Sequence, residues 1–281
     1  LNLLRKRERL EIGDWRLPTN RQSLTLAPHA SAGVSNLFIG LVIGALGFLN
    51  IWDLPTCGFI TVAAYALARY RVNNAWDSAA WRDLILFVGI LGFGSLVLYL
   101  PFYIGFQSQA GGILTVFFVK TRLHQYLLLY GFFVFVLGAF LLYLARRAPP
   151  RDWLSRAVKF ASAGIVFPFA VGALVLLAVA LIPALQDTVR ALIPNADNPI
   201  AAVAGAYFAP WFADPWLFIL LIGLLAMIAA LVTTRLRDDD STAFILVLAF
   251  TGFLLTFGSE FVYLRDSFGT RMNTVFKFYF Q

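Results

Sequence analysis

The sequence predicts an all-α, polytopic transmembrane protein, and three observations carry that prediction. Sixty per cent of the 281 residues are hydrophobic, only 13% are charged, and the mean hydropathy is +0.78, all outside the range of soluble domains. Apolar runs close to the roughly 20 residues that a bilayer core requires recur along the chain. Every second connection between those runs is rich in Lys and Arg. The 28 Phe, seven Trp and ten Tyr suit lipid-facing and interfacial surfaces.

Composition also excludes. The single cysteine, Cys57, cannot form an internal disulfide and sits in an apolar run, where a packed, inert thiol is expected. The two histidines, His29 and His124, fall on opposite faces, so no histidine metal cluster forms. The net charge of +7 is spread over short loops and is a topology signal; no nucleic-acid partner is expected.

In chain order, residues 1–33 are basic and polar, with Leu1–Leu4 resembling the tail of a preceding span. Seven spans are expected at about 34–51, 55–70, 84–104, 125–144, 158–182, 216–234 and 243–262. An eighth begins near Thr274 and is cut at Gln281. The chain therefore reads as an internal fragment of a longer protein, one transmembrane domain over 1–281. The segment 1–33 is cytoplasmic and 34–281 is the helical membrane region.

Orientation follows from Lys and Arg bias. With the N-terminal segment inside, 16 of the 22 basic residues lie in cytoplasmic segments, giving +7 inside and zero outside. The protein is thus expected in the cell membrane, multi-pass, with the loops that carry its polar motifs external. Gly40, Gly44 and Gly47 in the first span, and Gly89, Gly92 and Gly94 in the third, are spaced for close helix approach. Pro168 is positioned to kink the fifth span.

Four outer segments hold nearly all the unusual polar residues. Asn50-Ile51-Trp52-Asp53-Leu54-Pro55-Thr56 joins two spans tightly, with Asp53 as expected N-cap and Pro55 in the first turn. Pro101–His124 contains Tyr103, a Ser-Gln-Ala-Gly-Gly turn, an apolar run from Ile113 to Val119 that returns to the interface, and then Lys120, Arg122 and His124. Pro183–Pro215 suits short interfacial helices with Trp211 and Trp216 as belt residues and an Asp187–Arg190 pair. The last is Glu260–Gln281. There a continuous helix would place Glu260, Tyr263 and Ser267 on one face, Gly269 breaks it, and Asn273 and Lys277 share a face of the next helix. Charges at membrane depth cost roughly 2.5 to 3.5 kcal/mol each at a helix centre, so this stretch is where function is sought first. A plainer reading is a structural clamp, Glu260 or Asp266 paired with Arg265 or Arg271.

These segments together resemble the Chlor_Arch_YYY membrane-protein family. The resemblance rests on Asn50–Thr56, on Leu100-Pro101-Phe102-Tyr103 through Ser108–Gly112, and above all on Asp266-Ser267-Phe268-Gly269-Thr270-Arg271-Met272-Asn273-Thr274-Val275-Phe276-Lys277-Phe278-Tyr279. Cys57 stands where the family pattern has tyrosine. That family is similar to GT-C-fold membrane glycosyltransferases, which take sugars from polyprenyl-phosphate donors. The resemblance implies a GT-C-like fold and a catalytic acid on an external loop near the N-terminus, which would lie upstream of Leu1.

Chemistry of that kind needs a carboxylate base and cations for the departing phosphate. Asp53, Glu260 and Asp266 are the candidate catalytic acids. Arg122, Arg265, Arg271 and Lys277 are the phosphate candidates, supported by Asn50 and Asn273, with Trp52, Tyr103 and Tyr263 to stack on sugar. A divalent metal between Asp53 and Asp266 is conceivable chemistry, although no Asp-x-Asp spacing supports it and no metal site is assigned. The expected partners are membrane lipid and a polyprenyl-phosphate sugar donor. Competing readings are a transporter or flippase of a lipid-linked or anionic substrate, which calls for mid-membrane charges and repeated halves, and a non-catalytic membrane subunit.

Overall fold

The computed structural model describes residues 30–73, 76–107, 111–117, 120–148, 150–193, 197–235, 240–265 and 270–281. The helices run in the order α1 (Ala30–Leu49), α2 (Asp53–Asn73), α3 (Ser78–Leu98), α4 (Leu100–Gly105), α5 (Leu123–Arg147), α6 (Pro150–Leu181), α7 (Pro183–Leu192), α8 (Pro199–Ala213), α9 (Trp216–Arg235), α10 (Asp240–Gly258) and α11 (Met272–Phe280). Two short strands, β1 (Ile113–Thr115) and β2 (Val262–Leu264), pair antiparallel. The fold is all-α, with 84% of the structure helical.

Five helices are long and apolar enough to cross a membrane: Ser78–Leu98, Leu123–Arg147, Trp153–Leu181, Trp216–Thr234 and Ser241–Gly258. Asn36–Leu49 of α1 is shorter, and α2 is diluted by Asp53, Arg69 and Arg71 and does not reach the same hydropathy. The expected count of seven spans and a truncated eighth therefore depends on how α1, α2 and α11 are read.

The helices form two groups. In the first, α1, α2 and α3 pack on one another around Ile43, Phe87 and Leu91, with Tyr65 stacked on Phe87 at 4.0 Å between ring centroids. In a bilayer, lipid tails are as apolar as Leu, so helix association depends on close van der Waals fit and interhelical hydrogen bonds. The glycines of α1 supply both. A Cβ on Gly44 would lie 2.6 Å from the Tyr99 ring and 2.9 Å from the Ser95 carbonyl oxygen, and Gly47 leaves room for the Tyr103 hydroxyl. The Ser95 hydroxyl donates to the Gly40 carbonyl at 3.1 Å and the Tyr99 hydroxyl to that of Leu41 at 3.1 Å. Gly40, Gly44 and Gly47 thus meet residues of steadily rising number, so α1 and α3 run parallel and α2 returns between them. Gly94 shares this contact. Gly89 and Gly92 do not: no atom of another element lies within 4 Å of a Cβ built on either.

The second group contains α5, α6, α8, α9 and α10, with Leu141, Leu221, Ile228, Leu231 and Leu246 fully buried at its centre. Contacts between α2 and α10 join it to the first group. Helix α6 continues through Pro168. Tyr207 of α8 donates its hydroxyl to the Pro168 carbonyl at 3.0 Å, and Gly172 is the gap that admits the Tyr207 and Phe208 rings. The short helices expected in Pro183–Pro215 are α7 and α8, and Arg190 pairs with Asp187 at 3.2 Å.

Two local expectations are corrected, and one segment gains its secondary structure. The third apolar run does not extend as one helix to residue 104, because α3 ends at Leu98 and α4 restarts at Leu100 with Pro101 in its first turn. The apolar run from Ile113 is a strand over 113–115. The seventh run is not helical to 262: α10 stops at Gly258, Ser259–Phe261 turn, and Tyr263 lies in β2 opposite Leu114. Glu260 and Tyr263 therefore do not share a helix face, and Ser267 lies outside the described residues.

Candidate functional site

The β1–β2 pair locks the chain on either side of one polar node. Gly111 N–H donates to the Arg265 carbonyl at 2.6 Å, Arg265 N–H to Gly112 at 2.9 Å, and Val116 N–H to Phe261 at 2.7 Å. Gly112 has φ +107°, a left-handed conformation that a Cβ resists, so glycine is needed where the chain turns into β1. This pairing brings Lys120 and Thr121 against the end of α10.

Glu260 is the centre of the node and is 5% exposed. Its Oε1 accepts from the Thr121 hydroxyl at 2.5 Å and from Arg271 Nη1 at 2.8 Å, and its Oε2 accepts from Thr121 N–H at 3.0 Å. Arg271 Nη2 donates to Thr121 Oγ1 at 2.9 Å, and Nη1 also reaches the Ser259 carbonyl at 3.3 Å. Both carboxylate oxygens are thus bonded, by Thr121 and Arg271. A buried pair this well satisfied is stable against loss of either partner only as a unit. Of the pairings expected for a clamp in this stretch, Glu260 with Arg271 forms among the described residues.

Lys120 is the residue that sequence reasoning left out of the site. Its ammonium donates to the Glu260 and Val116 carbonyls, at 2.5 and 3.1 Å, and lies 4.5 Å from the Trp211 ring centroid, 5.3 Å from that of Tyr207 and 5.8 Å from that of Phe261. Such ring faces attract a cation. Burial pushes the Lys120 ammonium down to about 8, a fall that Glu260 opposes and Arg271 reinforces. Trp211, expected as a belt residue, stacks on Phe261 at 5.0 Å and forms the wall of this cage. Trp216 is exposed. The available signal was a lone lysine closing an apolar run, but Tyr207 and Trp211 lie some ninety residues further on in α8, and Phe261 lies beyond α10.

The second focus is Asp53. It is the first residue of α2 rather than a cap, its N–H bonds the Asn50 carbonyl, and its carboxylate accepts from the Gln281 amide. Asn50 Oδ1 accepts from Trp52 N–H at 3.3 Å, which shapes the turn, and the Trp52 ring meets Phe278 edge-on at 6.1 Å. Helix α11 therefore reaches from the Glu260 node to the Asp53 corner. Thr274, 2% exposed, fixes its start by accepting from Leu264 N–H at 3.1 Å, and Tyr279 packs on Tyr130 of α5 at 5.6 Å. Asn273, Lys277 and Gln281 follow one another at four-residue spacing, so they lie along one face at about 6 Å intervals.

The remaining candidates are dispersed. Arg122 is the exposed N-cap of α5, its N–H bonded to the Gln125 side chain at 3.0 Å, and it follows Thr121 directly. Arg265 is exposed, with its stem over Gly111. Lys277 is half-buried. Tyr103 is committed to α1 and Phe102, and Tyr263 to β2. Asp266 lies outside the described residues. Among the described residues, no group of three or more His, Cys, Asp or Glu is placed to hold a metal ion.

Neither the curated proteins nor the solved structures contain a match to this chain. A family model does match: that of an uncharacterized membrane protein family, DUF2298, over residues 2–281. With nearly the whole length covered and several apolar helices of membrane-spanning size, the chain belongs to the DUF2298 family of membrane proteins.

Proposed function

We propose that this membrane protein is a glycosyltransferase-like enzyme that uses a polyprenyl-phosphate-linked sugar at the outer membrane face. The observation that carries the proposal is the meeting of Asp53 with α11. It puts a half-buried carboxylate against Gln281, which lies one helical turn beyond Lys277 on the same face of α11, and beside Trp52. A base for an acceptor hydroxyl and a cation for the departing phosphate thereby meet the same face of α11, an arrangement that suits transfer from a phosphate leaving group. Lys277 has no ion partner among the described residues.

In this reading Asp53 is the base, Lys277, Arg122 and Arg265 contact phosphate, and Asn273 orients the donor. Glu260 and Arg271 are assigned to holding α11 in place, because each already spends its charge on the other. The seven-span topology with cytoplasmic residues 1–33, the GT-C-like fold and the kinship with Chlor_Arch_YYY belong to the same proposal, and the Asn50–Thr56 and Asp266–Tyr279 motifs support it. A divalent ion would have Asp53 as its carboxylate and would neutralise the phosphate.

The test offers the purified full-length protein in nanodiscs a panel of polyprenyl-phosphate sugars and measures release of polyprenyl phosphate. Release that falls at least about a hundredfold in Asp53→Asn is the expected result. No release from any donor would count against the assignment, as would liposome flux of an intact lipid-linked sugar.

A further inference from the structure

The end of the bundle opposite to Glu260 carries a cluster of cations that the proposed reaction does not use. Helix α5 starts at Leu123, beside the Glu260 node, and ends at Arg147, about 37 Å away at 1.5 Å per residue. From residue 146 to 159 the sequence holds five basic residues and one acid, Asp152. The neighbouring stretch 235–240 holds two bases and three acids, so this end keeps a positive balance. Arg146, Arg147, Arg156 and Lys159 are all exposed, and none of them forms an ion pair among the described residues.

Two of these cations are held in place. The Arg147 guanidinium lies over the Tyr143 ring, 4.4 Å from its centroid, and Arg156 donates from Nη1 to the Thr233 carbonyl of α9 at 3.1 Å. Stacking spends none of the in-plane N–H donors of Arg147, and the Thr233 bond uses a single N–H of Arg156. Leu144, Ala145 and Ala148 are buried beneath them, so packing fixes the α5–α6 turn that the two arginines flank. Planar guanidinium forks match the oxygens of a phosphate.

The surroundings decide which kind of anion fits. Leu142, Tyr143, Leu154, Val158 and Phe160 are exposed on the same two helices, interleaved with the cations. A soluble anion would leave that apolar surface in water. A phospholipid covers it with acyl chain while its headgroup meets the cations. We propose that this end of the α5–α6 hairpin is a binding site for an anionic phospholipid. Arg147 and Arg156 hold its phosphodiester, Arg146 and Lys159 add flanking charge, and its chains lie along the apolar side chains of α5 and α6. The site is independent of the transferase reading, and no sugar donor enters its test.

Native mass spectrometry of the full-length protein reads the affinity for phosphatidylglycerol and for phosphatidylcholine with matched chains. The wild type is expected to bind the anionic lipid at least about tenfold more tightly. Each cation near the headgroup contributes about fivefold, so the double variant Arg147→Gln, Arg156→Gln should bind phosphatidylglycerol at least about tenfold more weakly. Both side chains are exposed, and an unchanged unfolding midpoint confirms that the fold is retained. The control Arg82→Gln, Arg190→Gln removes the same charge from exposed arginines that already face Asp83 and Asp187, and should leave the affinity within about twofold. Equal affinity in wild type and the Arg147, Arg156 variant overturns the proposal. So does an equal loss in the control, which would show diffuse attraction and no site. Displacement of the lipid by inorganic phosphate or by polyglutamate would put a soluble anion there and overturn it as well.

Discussion

Replacing Glu260 by Gln tests whether the polar node holds the outer end of the bundle together. The substitution preserves shape but removes the charge that faces an Arg271 side chain only 16% exposed. Gln can still place an oxygen where Oε1 accepts from Thr121 and Arg271. Its amide nitrogen then faces the Thr121 N–H that Oε2 now accepts, setting donor against donor. Breaking a buried pair in this way costs about 3–5 kcal/mol, because the remaining charge is left buried without a partner. For a chain of this size that corresponds to a fall of about 10 °C in the unfolding midpoint. The assay is thermal unfolding in detergent, followed by Trp fluorescence, on wild type, Glu260→Gln, Arg271→Met and the double variant. The double variant should be more stable than the sum of the single losses predicts, by about 1–3 kcal/mol, since it removes both charges together. Single losses within about 2 °C of wild type, or strictly additive losses, would refute the reasoning.

Other perturbations have equally definite signs. Lys120 is held near 8 in the folded protein against about 10.4 in an unfolded chain, so the unfolded state binds more protons between those values. Stability should therefore be insensitive to this group below pH 8 and rise with pH from 8 to about 10.4, by no more than about 1.4 kcal/mol per pH unit. Lys120→Met should remove that rise, and a wild-type minus Lys120→Met difference that falls over the window would contradict the assignment. Gly44→Ala drives a methyl into Tyr99 and the Ser95 carbonyl and should cost about 1–3 kcal/mol, read as a drop in unfolding midpoint. Gly89→Ala meets nothing and should be neutral or slightly stabilising in the same measurement. Gly172→Ala, whose Cβ would sit 2.5 Å from the Phe208 ring, should unseat α8 and speed hydrogen exchange over 199–213.

The membrane-helix class was legible because it depends on composition and on runs of about 20 apolar residues, both local properties. The glycines of α1 were legible in kind, since their spacing already implied a close approach. Gly89 and Gly92 share that spacing yet contact nothing, because spacing does not say which face meets a partner. The β1–β2 pair was not legible. Ile113–Thr115 and Val262–Leu264 are three residues each, apolar, and separated by some 150 positions, and Val262 simply continues the hydrophobicity of α10. Glu260 and Arg271 were visible as unusual charges, but their partner Thr121 is an ordinary residue far away in sequence. Lys120 with Tyr207, Trp211 and Phe261 shows the same limit: each residue has a bland local explanation, and only the fold assembles the cage. Trp52 and Asp53 were singled out from their motif, and the structure adds what they touch, Phe278 and Gln281.

The most direct test of the central claim is the initial rate at which purified full-length protein releases polyprenyl phosphate from a lipid-linked sugar, compared between wild type and Asp53→Asn. The account predicts release by the wild type and a loss of about a hundredfold or more in Asp53→Asn, with the unfolding midpoint unchanged. Equal rates in the two proteins, or no release from any donor by a folded wild type, would contradict it.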